Sequence, residues 1–175
     1  VVGRHGFRPY VHVIRRLPVP HPHLRTAELP RGSSIEVLAR SRNVRLEGEL
    51  GALTAPALRL APLAPAATFR VDVIAGKTKT SRSYRGGLVI RPASESGEPA
   101  LILVNNVPLE EYVAAVVSSE YGLHDVEGTR AMAVLARTYA LKTMAEPGAL
   151  YDHVDHELSQ VYRGVDGLTD ASRHA

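Results

Sequence analysis

Asn105-Asn106-Val107-Pro108-Leu109-Glu110-Glu111-Tyr112-Val113-Ala114-Ala115-Val116-Val117-Ser118-Ser119-Glu120 is the stretch where this chain changes period. Just before it, Leu101-Ile102-Leu103-Val104 is a short apolar run that reads as a buried strand. From Leu109 onward the apolar residues Leu109, Tyr112, Val113, Val116 and Val117 recur at i, i+3, i+4, i+7 and i+8, which is one face of a helix. Pro108 suits a first turn, and Glu110 and Glu111 sit near the positive end of the helix dipole. Ser118, Ser119 and Gly122 favour leaving the helix, so Glu120 is expected at its end or in the turn beyond. A second helix is expected from about Val126 to Met144, ending before Pro147-Gly148. Its small residues Ala131, Ala133, Ala136 and Ala140 allow close approach to another helix or a sheet.

Upstream, the signals are those of strands. Phe69-Arg70-Val71-Asp72-Val73 alternates strictly, and Val44–Leu50 shows the same period of two. Val11–Ile14 and Ile35–Ala39 are further candidates, and Tyr84-Arg85-Gly86-Gly87 reads as a turn into Leu88–Arg91. Ser94–Pro99 reads as a polar hairpin-type connection, and Leu17–His23 as a proline-rich extended loop. After the second helix, Tyr151–Arg163 reads as a loop entering a short strand around Gln160-Val161-Tyr162, and a further helix is expected from Ala171. The expected class is α+β: an antiparallel-rich sheet with two or three helices packed on it. Residues 1–68 are expected to be a poorly defined β/loop extension, and 69–175 the main domain.

Composition bounds the functions. The 175 residues, 45% hydrophobic and 22% charged, suit one globular domain or one domain plus an extension. The net charge of +3 suits an anionic partner, but no basic stripe marks a nucleic-acid surface, so no nucleic-acid partner is expected. The absence of Cys excludes disulfides, thiol catalysis and Cys-based zinc sites, and leaves the compartment open. No run of about 18 apolar residues marks a membrane span. The apolar stretch Leu50–Ala67 is broken by Pro56, Arg59, Pro62 and Pro65.

Five pieces, taken together and in order, resemble the SpoIID/LytB family of bacterial cell-wall proteins. They are Tyr84-Arg85-Gly86; Asn105 through Glu110-Glu111-Tyr112; Val116-Val117-Ser118-Ser119-Glu120; Ala131-Met132-Ala133-Val134 with Ala136-Arg137-Thr138-Tyr139-Ala140; and Gln160-Val161-Tyr162-Arg163-Gly164. The resemblance implies one of two roles. SpoIID-type members are lytic transglycosylases that cut peptidoglycan glycan strands lacking stem peptides. LytB-type members are described as enhancers of a cell-wall amidase. A third reading is a remnant that only binds glycan. In the family, the glutamate after the paired valines and serines is the catalytic acid, a position held here by Glu120. The chain differs from the common pattern in having Tyr121-Gly122 for Met-Pro and Met132 for Gln. It also stops short of the family's later threonine-glycine and serine/glycine-rich segments, so the domain is expected to be incomplete at its C terminus.

A single carboxyl group suffices for lytic transglycosylation, because the substrate's own C6 hydroxyl replaces the water that ordinary glycosidases activate. A partly desolvated Glu120 is expected, with Val116, Val117 and Tyr121 as an apolar wall. As a bare helix-end carboxylate, Glu120 would carry no chemistry; the motif is what argues for a catalytic role. Arg137 suits the lactyl carboxylate and Tyr139 a sugar ring, but Arg137 equally suits an ion pair with Glu110 or Glu111. Gln160 and Tyr162 are candidate glycan contacts or structural groups at a strand edge, and Ser119 is a further candidate contact. Asp152-His153-x-Asp155-His156 has metal-ligand residue types, yet a solvated polar loop is the favoured reading. Members with a zinc site carry Cys where Val154 and Ser159 stand here, so that site is not built. His21 and His23 give only a weak hint of metal. No cofactor and no metal are expected. The expected partners are peptidoglycan glycan strands and a cell-wall amidase, the location is outside the cytoplasmic membrane, and any membrane anchor would lie outside this stretch. Sporulation itself is not implied.

Overall fold

The computed structural model describes residues 2–3, 7–14, 27–49, 51–75, 77–95, 97–121 and 125–174. Leu17–His23, with His21 and His23, lies outside the described residues. In chain order the strands are β1 (Val2–Gly3), β2 (Phe7–Ile14), β3 (Ile35–Arg40), β4 (Asn43–Gly48), β5 (Leu53–Ala55), β6 (Leu58–Leu60), β7 (Phe69–Ala75), β8 (Thr78–Tyr84), β9 (Gly87–Glu95) and β10 (Glu98–Pro108). Helices α1 (Leu109–Glu120) and α2 (Val126–Lys142) follow, then β11 (His153–Val154) and α3 (Asp170–His174).

The class is α+β, as expected, and the strands divide between two sheets. One has the order β5-β4-β3-β1-β7-β8, the other β11-β2-β10-β9-β6. Most neighbours are antiparallel; β1 runs parallel to β3 and β7, and β2 parallel to β10. Strands from before and after Phe69 share both sheets. The period of two is visible in burial: Ile35, Val37 and Ala39 of β3 and Val44 and Leu46 of β4 turn inward. That face lies against β9 and β10, where Leu88, Ile90, Leu101, Leu103 and Val107 complete one core with α1 and α2. Burying a side chain such as Leu88 or Leu103 contributes about 1.5–3 kcal/mol.

Several boundaries differ from the sequence reading. The run Leu101–Val104 is the middle of a longer strand that passes into α1 with no loop, because Pro108 keeps an extended backbone (φ −58, ψ 145) at the helix N-cap. Ser94–Pro99 is mostly strand, since β9 and β10 stay paired out to Glu95 and Glu98. Gln160-Val161-Tyr162 belongs to no strand; its side chains, not a ladder, anchor it, as described below. The first helix is also more enclosed than its single apolar face implied. Every residue from Tyr112 to Val117 is buried, because α2, α3, β10 and β2 pack around it.

Helix α2 starts where expected. The Asp125 side chain at its N-cap accepts the N–H of Gly128 at 2.5 Å. Ala133, Ala136 and Ala140 are buried, while Ala131 stays exposed along with Val134 and Leu135. The close approach thus uses three of the four alanines. Among the described residues, no helix is long and apolar enough to cross a membrane.

Candidate active site at the end of helix α1

Helix α1 delivers Glu120 as its final residue. A carboxylate there opposes the negative end of the helix dipole, a placement unfavourable by about 0.3–1 kcal/mol. One compensating bond is present: the N–H of Val161 donates to Glu120 Oε1 at 2.6 Å. Among the described residues, Oε2 has no hydrogen-bond partner. Glu120 is exposed, which corrects the expected partial desolvation. Val116 and Val117 are fully enclosed in the core and build no wall beside it. Glu120 lies one turn past Val116, beyond the covered part of α1. Tyr121 leaves the helix with extended backbone, and its hydroxyl donates to Asp125 Oδ2 at 2.6 Å.

The segment that presents Val161 is held from both sides. Tyr112 Oη donates to Gln160 Oε1 at 3.2 Å, and Tyr162 Oη donates to Asn105 Oδ1 at 2.6 Å. Asn105, wholly buried in β10, donates through Nδ2 to the carbonyls of Arg85 and Gly87 at 2.8 and 2.9 Å. The Tyr162 ring stacks on Tyr112 at 5.4 Å and lies 6.3 Å from Tyr84. Burial raises the hydroxyl pKa of Tyr84 to about 12 and that of Tyr162 well above its ordinary value, so both stay neutral.

The same segment closes an open sheet edge. Ser83 of β8 donates its N–H to Asp166 Oδ2 at 2.7 Å and accepts the N–H of Val165 at 2.8 Å. Gly164 makes this fit possible: its φ is +73, and a Cβ there would lie 2.1 Å from the Ser83 carbonyl oxygen. Gly86 faces the same restriction, with φ +73 and a Cβ 2.1 Å from the Asn106 oxygen. Each glycine lies in one of the short sequence pieces singled out above.

The Asp-His-x-Asp-His run separates into different partners. Asp152 Oδ1 accepts the N–H of Ala145 at 3.2 Å, and buried His153 stacks on Tyr112 at 5.6 Å. Asp155 is buried against Arg82 Nη1, and its other oxygen, Oδ1, has no hydrogen-bond partner among the described residues. Burial pushes the Asp155 carboxyl up to about 6, against the pull of Arg82. His156 is exposed, and its Nδ1 accepts the N–H of Leu158 at 3.3 Å. The described residues contain no group of three or more His, Asp or Glu placed to hold a metal ion.

The six residues singled out from the sequence therefore fall in different places. Ser119 is half-buried beside Glu120, with its hydroxyl donating to the Ala115 carbonyl at 2.8 Å. Gln160 and Tyr162, 5% and 1% exposed, are core groups rather than surface glycan contacts, because packing on Tyr112 encloses them. Arg137 pairs with Glu110, not with Glu111 or Glu120. Since Glu110 and Glu120 sit at opposite ends of α1, that pairing holds Arg137 about 15 Å from Glu120 along the axis. Tyr139 is 38% exposed and flanks His153 at 6.3 Å. The sequence reading did not single out Asn105, Tyr112 or Val161 as parts of the site. The available signal was a buried amide closing an apolar strand, which must find partners.

Comparison with known families bears on residues in this frame. The SpoIID family model, stage II sporulation protein, matches residues 98–175, which include β10, all three helices and Glu120. No curated protein and no solved structure matches the chain. Residues 98–175 are thus similar to the SpoIID family, a likeness that points to a cell-wall-related role.

Proposed function

We propose that this domain is a peptidoglycan lytic transglycosylase, acting outside the cytoplasmic membrane, with Glu120 as its acid–base group. The observation that supports this most directly is the asymmetry of the Glu120 carboxyl. One oxygen is anchored by a backbone N–H and the other has no partner among the described residues, in an exposed position. The protonated group then carries its proton on Oε2. That proton passes to the glycosidic oxygen between N-acetylmuramic acid and N-acetylglucosamine as the bond to C1 breaks. The resulting carboxylate takes the proton of the muramyl C6 hydroxyl while that oxygen bonds to C1. The 1,6-anhydro ring forms, Glu120 is protonated again, and no water is consumed. The nucleophile is intramolecular, so its effective concentration is high and a second carboxylate is not needed. In this reading the exposed ring of Tyr139 and the hydroxyl of Ser119 are the remaining candidate glycan contacts.

A second reading draws on one observation. Glu120 is exposed, and Val116 and Val117 are buried in the core instead of lining it. That favours a non-catalytic, wall-binding enhancer of an N-acetylmuramoyl-L-alanine amidase. The two separate on peptidoglycan stripped of stem peptides, using wild type and Glu120→Gln, with mass spectrometry of the products. Fragments ending in 1,6-anhydro-N-acetylmuramic acid from wild type alone support the lytic reading. Glycan binding by both proteins, with no such fragments from either, supports the enhancer.

A further inference from the structure

We infer that Tyr162 and Asn105 are positioning residues for Glu120, acting through the backbone N–H of Val161; this rests on the reading of Glu120 as the acid–base group. Val161 lies between two enclosed side chains, Gln160 and Tyr162. Both have their polar ends tied down, one by Tyr112 and the other by Asn105. The segment joins no strand, so no ladder sets the direction of the Val161 N–H. The two flanking anchors set it instead.

Asn105 is fixed in its turn. Its Nδ2 donates to two carbonyls, those of Arg85 and Gly87, so its Oδ1 must face Tyr162. A flipped amide would set an oxygen against both carbonyls. The carbonyls flank Gly86, where the connection from β8 enters β9 and presses onto β10. Farther along the chain, Val165 and Asp166 bind Ser83, and Asp155 binds Arg82. The segment that carries Val161 is therefore moored to β8 on both sides and to β10 in the middle. Its N–H is a rigid post for Glu120 Oε1, which fixes the direction in which Oε2 presents its proton. A misplacement of about 1 Å at such a group costs on the order of 100-fold in rate.

The test is Tyr162→Phe, which keeps the ring and removes only the hydroxyl. Its kcat on stem-peptide-free glycan strands is expected to fall about tenfold with KM within about twofold of wild type. A second variant replaces the Gln160–Val161 amide by an ester, which removes the N–H alone, and is expected to reproduce the loss of kcat. NMR supplies a readout independent of activity. The Val161 amide proton should resonate downfield in wild type and move upfield in both Glu120→Gln and Tyr162→Phe. An unchanged kcat in Tyr162→Phe, or an amide resonance that ignores Glu120→Gln, would overturn the inference. If wild type itself makes no anhydro product, the acid–base reading falls, and the amide resonance alone decides whether Tyr162 and Asn105 position the carboxylate.

Discussion

The guanidinium of Arg137 grips the carboxylate of Glu110 with two parallel hydrogen bonds, Nε to Oε1 at 3.1 Å and Nη2 to Oε2 at 2.5 Å. The pair pins the middle of α2 to the first turn of α1 and holds the Glu110 carboxyl below its ordinary pKa. The cation suited to a lactyl carboxylate already has a partner inside the protein.

Arg137→Gln should therefore act on stability and not on ligand binding. Partly exposed pairs of this kind contribute about 0.2–1 kcal/mol, so a small fall in Tm is expected. Pull-down on isolated glycan strands should be unchanged. Weakened pull-down at unchanged Tm would make Arg137 a substrate contact instead.

The two tyrosines named from the sequence should separate sharply. Tyr162→Ala opens a cavity among Tyr84, Tyr112 and Asn105, and should cost about 3–5 kcal/mol in denaturant unfolding. Tyr139→Ala, at an exposed position, should change stability by no more than about 0.5 kcal/mol. If Tyr139 stacks on a sugar ring, its loss should weaken glycan binding. Equal stability losses in the two variants would contradict the burial assigned here.

Asp155 supplies a pH dependence of defined sign. Its carboxyl titrates at about 6 when folded against an ordinary value of 3.8, so the folded state holds the proton more tightly than the unfolded chain. The stability this contributes is complete below the unfolded value and is lost as pH rises through about 6. The Tm difference between wild type and Asp155→Asn should accordingly move against wild type between about pH 4 and pH 7. A difference that stays flat across that range would show that Arg82 outweighs burial and keeps Asp155 ionised.

How much of this was legible beforehand follows from how local each feature is. Helix α1 and its terminal Glu120 could be read directly, because a period of 3.6 and the Ser118-Ser119 break are properties of adjacent residues. Strands β4 and β7 followed from alternation for the same reason. That β2 joins β10, and that the strands split into two sheets, could not be read, since strand pairing is a choice among partners distant in sequence. The Gln160-Val161-Tyr162 segment is not the expected strand, because side-chain bonds to Tyr112 and Asn105, partners distant in sequence, hold it in place of a ladder.

The sequence by itself determined which residue types stand where: a carboxyl group at a helix end, an amide at the close of a strand, glycines at two points where a side chain would collide. Only the tertiary structure decided what those groups meet. Glu120 meets an N–H 41 residues away, Asn105 a hydroxyl 57 residues away, and Glu110 rather than Glu111 takes Arg137 across 27 residues. Local periodicity specifies which face of an element is apolar. The pairing of polar groups across that face depends on how the packed elements close around the core, because a buried donor or acceptor must take whichever partner the packing brings within reach.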